Sequence, residues 1–274
     1  MSQIHAFHKK ITASRLTCAG KRCIIVDMKV YEHIQDFLIK YCDVDFKDEL
    51  KVSSTLAYLE EVACASADEL GFGYAFIKPR GYAFMVTNIC CEFLRPVPLS
   101  EVVRVKTWPL IPSHATFRRE YQIADREGKP YVNASSRWCL IDVNTGKLLL
   151  SKAIDNQDYS TYNTAQVLES VQWKLPVFKK EEGELKFTLT IANSEYDHNF
   201  HVNNAKYADY CFNVFSVAEL AERKLKRFSI SYVKQCKEGE TLCFYRKMLE
   251  DGSYLAQGFN EKGEVVTQSW IVFA

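Results

Sequence analysis

The stretch FHVNNAKYA, residues 200–208, repeats the pattern of LKVSSTLAY, residues 50–58, at a constant offset of 150 residues. In both stretches polar residues stand directly before a run of apolar residues at helical spacing. The first run consists of Leu56, Leu59, Val62, Ala63, Ala67 and Leu70. This spacing predicts an amphipathic helix, which Ser53 or Ser54 can cap and Gly71 can end.

The second stretch predicts a helix of the same kind. Asn203 or Asn204 is a suitable N-cap, because a short amide side chain can accept a hydrogen bond from the first free backbone N–H groups. The apolar positions that follow are Tyr207, Cys211, Val214, Ala218 and Ala221. We therefore expect a second long helix with one buried face.

Strand-like segments surround each predicted helix in the same order. DFLIKYCDVDF precedes the first helix, and AFMVTNICCEFL, EVVRVKTWPL, FRREYQIAD and NASSRWCLID follow it. ELKFTLTIANSEYD precedes the second helix, and FSISYVKQC, TLCFYRKML, SYLAQGFN and EVVTQSWIVFA follow it. FLRPVPLSEV aligns with YVKQCKEGET at an offset of 139 residues, and SRWCLID aligns with QSWIVFA at an offset of 132. The turns DREGK and NEKGE take matching places.

A helix among antiparallel strands, given twice, predicts an α+β fold of the tandem (double) hot-dog type. Each of two long helices would be wrapped by an antiparallel sheet, and the two sheets would join edge to edge, which leaves fewer open strand edges. We predict an N-terminal extension (residues 1–35), an N-terminal hot-dog (36–150), a polar linker (151–183) and a C-terminal hot-dog (184–274).

The composition is that of an ordinary globular protein, with 47% hydrophobic and 25% charged residues and a net charge of +1. A charge this close to zero gives no indication of nucleic acid or membrane binding. The ten cysteines show no framework spacing, so we expect reduced thiols in a cytosolic protein. Residues 1–26 contain five basic residues and no acidic one. A transit peptide has this composition, but a basic N-terminal extension is the preferred interpretation.

A cluster of polar side chains lies before the second helix: Asp197, His198, Asn199, His201 and Asn203. A lone Asp or Asn before a helix is usually a cap. A histidine can move a proton near neutral pH, and an amide can stabilise an oxyanion, so the whole cluster favours catalysis. His198 and His201 could ligate a metal together with Asp197, but the sequence offers no second group of ligands. We therefore expect neither a metal nor another cofactor.

The segment DHNFHVNNAKYADY resembles the Asp-x-Asn-x-His-Val-Asn-Asn-x-x-Tyr signature of the acyl-acyl-carrier-protein thioesterases. SSTLAYLEEVA, LGFG, the paired SRWCLID and QSW ends and the YVKQC strand are similar to segments of that family in the same order, so the resemblance covers nearly the whole chain. It implies a double hot-dog enzyme with a catalytic set of Asp197, Asn199, His201 and Cys236. The segment YVKQC departs from the family pattern, because Gln235 stands where plant members have a glutamate.

Two routes of thioester hydrolysis stay open at this point. Water can attack the carbonyl directly, with Asp197 and His201 handling the proton, or Cys236 can act as a nucleophile beside His201. We favour the water route. Gln235 cannot serve as a general base, and we expect Gln235 and Asn203 to line the site.

The first half lacks this catalytic set. The 150-residue offset places Lys47, Glu49 and Lys51 opposite Asp197, Asn199 and His201, and the 139-residue offset places Pro96 and Val97 opposite Gln235 and Cys236. We therefore predict one active site per chain. The resemblance implies that the first half holds the acyl chain, and GFGYAFIKPRGYAFMV offers apolar and aromatic side chains for its pocket.

The predicted activity is hydrolysis of fatty acyl-acyl carrier protein to a free fatty acid, which ends fatty acid synthesis. The alternatives are an acyl-coenzyme A thioesterase, a hot-dog dehydratase or hydratase, and a non-catalytic acyl-binding protein. The predicted partner is an acidic acyl carrier protein, and a basic group after the second helix could dock it: Arg223, Lys224, Lys226 and Arg227. Cations at that place are also favoured by the helix dipole alone. The chain could be a monomer or a homodimer.

Overall fold

The computed structural model describes residues 12–18, 23–154 and 157–274, with side chains from residue 30 onward. The predicted basic N-terminal segment therefore lies largely outside the described residues. Strands β1 (Thr12–Cys18) and β2 (Cys23–Lys29) form an antiparallel pair there.

Eleven further strands belong to one large sheet. Five belong to the first half: β3 (His33–Leu38), β4 (Tyr82–Phe93), β5 (Val102–Pro109), β6 (Phe117–Ala124) and β7 (Pro130–Asp142). The two-residue strand β8 (Leu148–Leu149) pairs with β7. Five belong to the second half: β9 (Glu184–Thr190), β10 (Leu225–Tyr232), β11 (Thr241–Met248), β12 (Tyr254–Phe259) and β13 (Val265–Phe273).

The strand order shows the internal repeat directly. It runs β3-β5-β6-β7-β4 and continues with β10-β13-β12-β11-β9, so each half uses the same order and the two halves are mirrored about the β4–β10 pair. That pair is antiparallel, with Ile89 opposite Ile230. The sheet therefore confirms the predicted edge-to-edge double hot-dog.

Four helices accompany the sheet: α1 (Val52–Glu69), α2 (Tyr74–Ile77), α3 (Asn204–Phe212) and α4 (Val217–Ala221). Helices α1 and α3 pack on each other. Their apolar faces and the inward-facing residues of both half-sheets form one core cluster, which includes Leu56, Leu59, Cys211, Phe228 and Phe244. Burial of such side chains is the main favourable contribution to folding.

The second half does not contain the single long helix that the sequence predicted. The chain turns after Phe212, and Ser216 caps α4 in a capping box with Glu219. Ala218 and Ala221 are exposed rather than buried. The reason is that Phe215 packs edge-on against Tyr254 and Phe273 of the sheet, which turns the chain before a continuous helix could extend.

The start of α1 also differs from the prediction, whereas its end agrees with it. Ser53 and Ser54 lie within the first turn, and the N-cap is Lys51, without a side-chain capping bond. The Thr55 hydroxyl donates to the Lys51 carbonyl instead, at 3.0 Å. Gly71 follows the helix with a φ of +79°, the left-handed conformation that favours glycine at a helix end.

The internal repeat is real, but one offset is longer than predicted. Helices α1 and α3 begin at Val52 and Asn204, and buried Leu59 and Val62 match buried Cys211 and Val214, so the two helices superpose at an offset of 152 residues. The offset of 139 holds where β4 meets β10. Ser135 and Trp270, opposite Cys90 and Ser229, match at 135 rather than 132. The pairing of strands fixes these registers, and the sequence pattern alone could not.

Residues 151–183 contain three short 3₁₀ turns and run against the sheet. Gln257 of β12 makes two hydrogen bonds with the backbone of Phe178, at 2.9 and 3.0 Å. The Trp108 indole donates to the carbonyl of Ala165 at 3.0 Å. The segment predicted as a linker is thus tied to both half-sheets.

Candidate functional site

The loop before α3 is built around Asp197. Its Oδ1 accepts hydrogen bonds from the backbone N–H of Asn199 at 2.7 Å and of His201 at 3.3 Å. The Asp197 N–H donates to the carbonyl of His201 at 2.8 Å, and Phe200 has a φ of +59°. Asp197 therefore closes a tight turn in the way that short polar side chains commonly do.

The first half contains the same turn, built by Asp45. Its Oδ1 accepts from the N–H of Lys47 at 2.8 Å and of Glu49 at 3.3 Å. Asp48 has a φ of +58°, matching Phe200 at the 152-residue offset. The predicted pairing of Asp197 with Lys47 was wrong, because the true counterpart of Asp197 is Asp45. The turn itself is a feature of the fold in both halves.

The two turns differ in the side chains that they present. Lys47 and Glu49 stand where the second half has Asn199 and His201, and they form an ion pair at 3.5 Å. The Lys47 ammonium also donates to the carbonyl of Arg223 at 3.2 Å. The first turn is thus used for contacts between the halves, whereas the second turn faces a cavity.

That cavity has a volume of about 1050 Å³ and is lined by both halves. The second half contributes residues 197–204, Tyr207 and residues 232–235. The first half contributes one face of α1, the segment around α2 and the start of β4, with Phe72, Tyr74, Phe84 and Met85 among them. This placement agrees with the expected acyl-chain pocket in GFGYAFIKPRGYAFMV.

One wall of the cavity is polar, which the sequence did not indicate. Arg119 of β6 lines the cavity and is 6% exposed. Its guanidinium donates to the hydroxyls of Ser66 at 2.8 Å and Thr107 at 3.3 Å. Burial lowers the pKa of this guanidinium. The cavity is therefore mixed in character rather than wholly apolar.

His201, Asn199 and His198 all line the cavity with their side chains partly or fully exposed to it. His198 packs edge-on against Tyr74 of the first half, with ring centroids 5.7 Å apart. Asp197 contacts the main chain of His201, not its imidazole. Asn203 lines the cavity too, but its Oδ1 caps α3 by accepting from the Ala205 N–H at 2.8 Å, so the predicted cap and the predicted lining residue are the same.

Gln235 and Cys236 are adjacent in sequence but lie in different environments. Gln235 is exposed and lines the cavity. Cys236 is fully buried in the core cluster, at the 139-residue counterpart of buried Val97. Burial raises the pKa of the Cys236 thiol, although a hydrogen bond from the Tyr207 hydroxyl opposes that rise. A protonated, enclosed thiol is a poor nucleophile.

The sequence reasoning missed Glu60, which lies on α1 of the first half. Glu60 lines the same cavity, and its carboxylate accepts a hydrogen bond from the Asn204 side chain at the start of α3. Burial raises the pKa of Glu60, and the nearby charge of Asp197 raises it further. The pair Glu60–Glu61 was visible in the sequence, but the contact between α1 and α3 that brings it to the site was not.

The predicted docking group lies away from this cavity. Lys224 and Lys226 are exposed. Arg227 instead pairs with Glu92 at 3.5 Å, and Arg223 covers the rings of Tyr254 and Phe273. Within the described part of the chain, no group of three potential ligands is arranged to hold a metal ion. Nor does any described helix have the length and apolar character needed to cross a membrane.

Family models match most of the chain. Residues 30–152 match the acyl-ACP thioesterase N-terminal domain, and residues 178–270 match the acyl-ACP thioesterase C-terminal domain. The boundary between the two matches falls in the segment that crosses the sheet.

Several known proteins are similar to the chain. A chloroplastic palmitoyl-acyl carrier protein thioesterase of Arabidopsis thaliana is 22% identical over 86% of this chain and 65% of its own length. A chloroplastic acyl-[acyl-carrier-protein] hydrolase of Cuphea viscosissima is 25% identical over 74% of this chain and 52% of its own. The chain thus spans about half to two thirds of these relatives.

Solved structures share the fold over nearly their full length. An acyl-ACP thioesterase from Bacteroides thetaiotaomicron superposes with a TM-score of 0.80 at 22% identity, covering 89% of this chain and 98% of that one. The 12:0-ACP thioesterase from Umbellularia californica gives a TM-score of 0.80 at 16% identity, covering 89% and 97%.

Proposed function

Because the chain belongs to the acyl-ACP thioesterase family, we propose that it hydrolyses fatty acyl-acyl carrier protein to a free fatty acid and the carrier protein. The observation that carries the proposal is the cavity between the halves. It joins an aromatic and apolar chamber in the first half to Asp197, Asn199 and His201 in the second. An acyl chain and its thioester need this combination of surfaces.

In the proposed reaction a water molecule attacks the thioester carbonyl, and the site accepts its proton. Asp197 is held by its turn, so that its Oδ1 is occupied and its position is fixed. Since its charge is part of the cavity wall, it can orient the attacking water. His201 is placed to protonate the departing thiol, because a histidine gives and takes protons near neutral pH.

The developing oxyanion needs hydrogen-bond donors that are already in place. The Asn199 amide lines the cavity, and the first turn of α3 points toward it with backbone N–H groups that a helix start leaves free. We assign oxyanion stabilisation to these donors.

The burial of Cys236 supports the water route over a covalent one. A nucleophile must reach the carbonyl carbon, and Cys236 lies in the core rather than on the cavity wall. We assign Cys236 to packing beneath Tyr207, and Gln235 to the cavity wall as a neutral contact.

The carrier protein is the proposed partner, and the exposed Lys224 and Lys226 are candidate contacts for its acidic surface. A cytoplasmic location fits the reduced cysteines expected from the sequence, and both a monomer and a homodimer stay open.

The test is hydrolysis of a series of acyl carrier protein thioesters, from butanoyl to octadecanoyl, with the matching coenzyme A thioesters as competitors. We expect fatty acid release from the carrier substrates, lost in Asp197→Ala and His201→Ala. Preferential release from the coenzyme A thioesters would assign the chain to the alternative substrate class. Tight retention of the acyl group without release would make it an acyl-binding protein.

A further inference from the structure

The proposed site has an unusual feature for a hydrolase, since its strand contributes a neutral amide at Gln235 where related plant enzymes have a glutamate. Besides Asp197, whose Oδ1 already holds the turn, the neighbouring loop offers no second carboxylate to the cavity. A site for water attack works best with a base that is free to accept a proton. The question is whether another element supplies it.

Glu60 is a half-buried carboxylate on the opposite wall of the cavity. Helix α1 packs on α3, so Glu60 faces the loop that carries Asp197 and His198. The Asn204 amide donates to its carboxylate, while Asn204 Oδ1 is buried and has no hydrogen-bond partner among the described residues. Tyr232, at the end of β10, lies close by and donates to the Asn204 carbonyl at 3.1 Å.

We propose that Glu60, supplied by the first half of the chain, is the catalytic base of the site in the second half and replaces the carboxylate that is missing at Gln235. The inference rests on the proposed thioester hydrolysis. One site is then built from both halves, and neither half holds a complete catalytic set.

The proposed step balances in protons and bonds. Glu60 takes a proton from water as the water oxygen bonds to the carbonyl carbon, which gives a tetrahedral oxyanion. When the carbonyl re-forms, the carbon–sulfur bond breaks, and the leaving thiolate takes a proton from His201 or from the now protonated Glu60. The products are a fatty acid and the free thiol of the carrier.

The electrostatic surroundings suit a base that works near neutral pH. The pKa of Glu60 is raised by burial and by the negative charge of Asp197, and lowered by His198 and by the Asn204 hydrogen bond. Acids with raised pKa values in a cavity are typical of catalytic sites. The titratable groups around Glu60 are Asp197 and His198 on the loop, Tyr232 on β10, and Glu61 and Cys64 on its own helix.

A structural role for Glu60 predicts something different. If Glu60 only anchored Asn204 at the start of α3, Glu60→Gln would leave hydrolysis almost unchanged or weaken the fold. A catalytic Glu60 is instead a cost to folding. Its raised pKa favours the protonated form in the folded state, so its contribution to stability is lost as the pH rises through that pKa. Glu60→Gln should then raise the melting temperature at neutral pH.

The decisive experiment compares four proteins on the best acyl carrier protein substrate: the wild type, Glu60→Gln, Gln235→Glu and the double variant. We expect Glu60→Gln to lower kcat by about 10²- to 10⁴-fold, the usual contribution of a general base, with little change in KM and a higher melting temperature. The double variant, which moves the carboxylate to the other wall, should recover at least about tenfold of the lost kcat.

Glu69→Gln is the matched control, since Glu69 lies on the same helix but bonds to Tyr31 and His33. It should keep the wild-type kcat. A kcat of Glu60→Gln within about threefold of the wild type would overturn the role of Glu60 and leave the proposed function standing. Failure of the wild type itself to release fatty acid from every carrier substrate would overturn the proposed function, and the role of Glu60 with it.

Discussion

At the scale of single residues, Asp197 combines two roles that the repeat separates. Its twin Asp45 makes the same turn in the first half without any cavity beside it. The turn is therefore needed by the fold, and only the charge and the cavity are particular to Asp197. This duplication lets each role be measured alone.

Asp45→Ala should lower the free energy of unfolding by about 1 kcal/mol, the usual cost of removing such a capping side chain, without lowering turnover. Asp197→Asn should keep the turn, because an amide oxygen can accept the same two backbone hydrogen bonds, and should lower kcat by about 100-fold or more. Chemical denaturation and steady-state kinetics of both variants check this. Equal losses of turnover would mean that the turn alone matters.

Cys236 is a second residue at which the repeat is informative. Val97 takes its place in the first half, so the core needs a small apolar side chain there and not a thiol. Cys236→Ala should lose about 1 kcal/mol of stability for the deleted atom and keep kcat within about threefold. A loss of kcat by several orders of magnitude, with the fold intact by circular dichroism, would instead support a covalent intermediate.

At the scale of elements, the break between α3 and α4 shows how local capping and long-range packing cooperate. Ser216 caps α4, and Glu219 returns a hydrogen bond to the Ser216 N–H at 2.8 Å. Glu219 also pairs with Arg246 of β11 at 2.7 Å. The short helix is therefore fixed to the sheet rather than to α3.

This arrangement gives the second half a defined pH dependence. The Ser216 N–H and then Arg246 lower the pKa of Glu219 from 4.5 to about 2. The stabilisation is therefore present above the unfolded pKa and is lost as the pH falls from 4.5 toward 2. Glu219→Gln should lower the melting temperature at neutral pH, and the difference from the wild type should vanish at strongly acidic pH. A difference that persists there would assign the effect to packing.

At the scale of the whole molecule, the β4–β10 pair makes one sheet out of two. Ile230 is 1% exposed and lies opposite Ile89 in this pair. The packing of α1 on α3 adds a second contact between the halves. The proposed site spans both contacts, so catalysis requires that the halves stay together.

We expect the two halves to unfold as one unit. Ile230→Ala should cost about 2 to 5 kcal/mol, as large-to-small core substitutions do, and should lower the protection of backbone amides in both halves to a similar extent. Native-state hydrogen exchange resolves the halves separately. Loss of protection confined to the second half would show that they unfold independently.

Much of this could be predicted from the sequence, for a local reason. Helical and strand periodicities are visible within a dozen residues, and their repetition predicted two equivalent half-sheets. The Asp197–Asn204 motif likewise predicted a polar cluster at the start of a helix, and the structure places all of its members on one cavity. The 150-residue offset failed because sequence similarity is blind to a shift of two residues, which strand pairing and helix packing fix.

What the sequence by itself determined is therefore the type and order of the elements, the double hot-dog and the family. Only the tertiary structure decided which side chains meet. It buried Cys236 and exposed its neighbour Gln235, because successive residues of an extended segment point to opposite sides. It also brought Glu60 to residues more than a hundred positions away, because α1 and α3 bury their apolar faces together and so turn their polar edges toward one cavity.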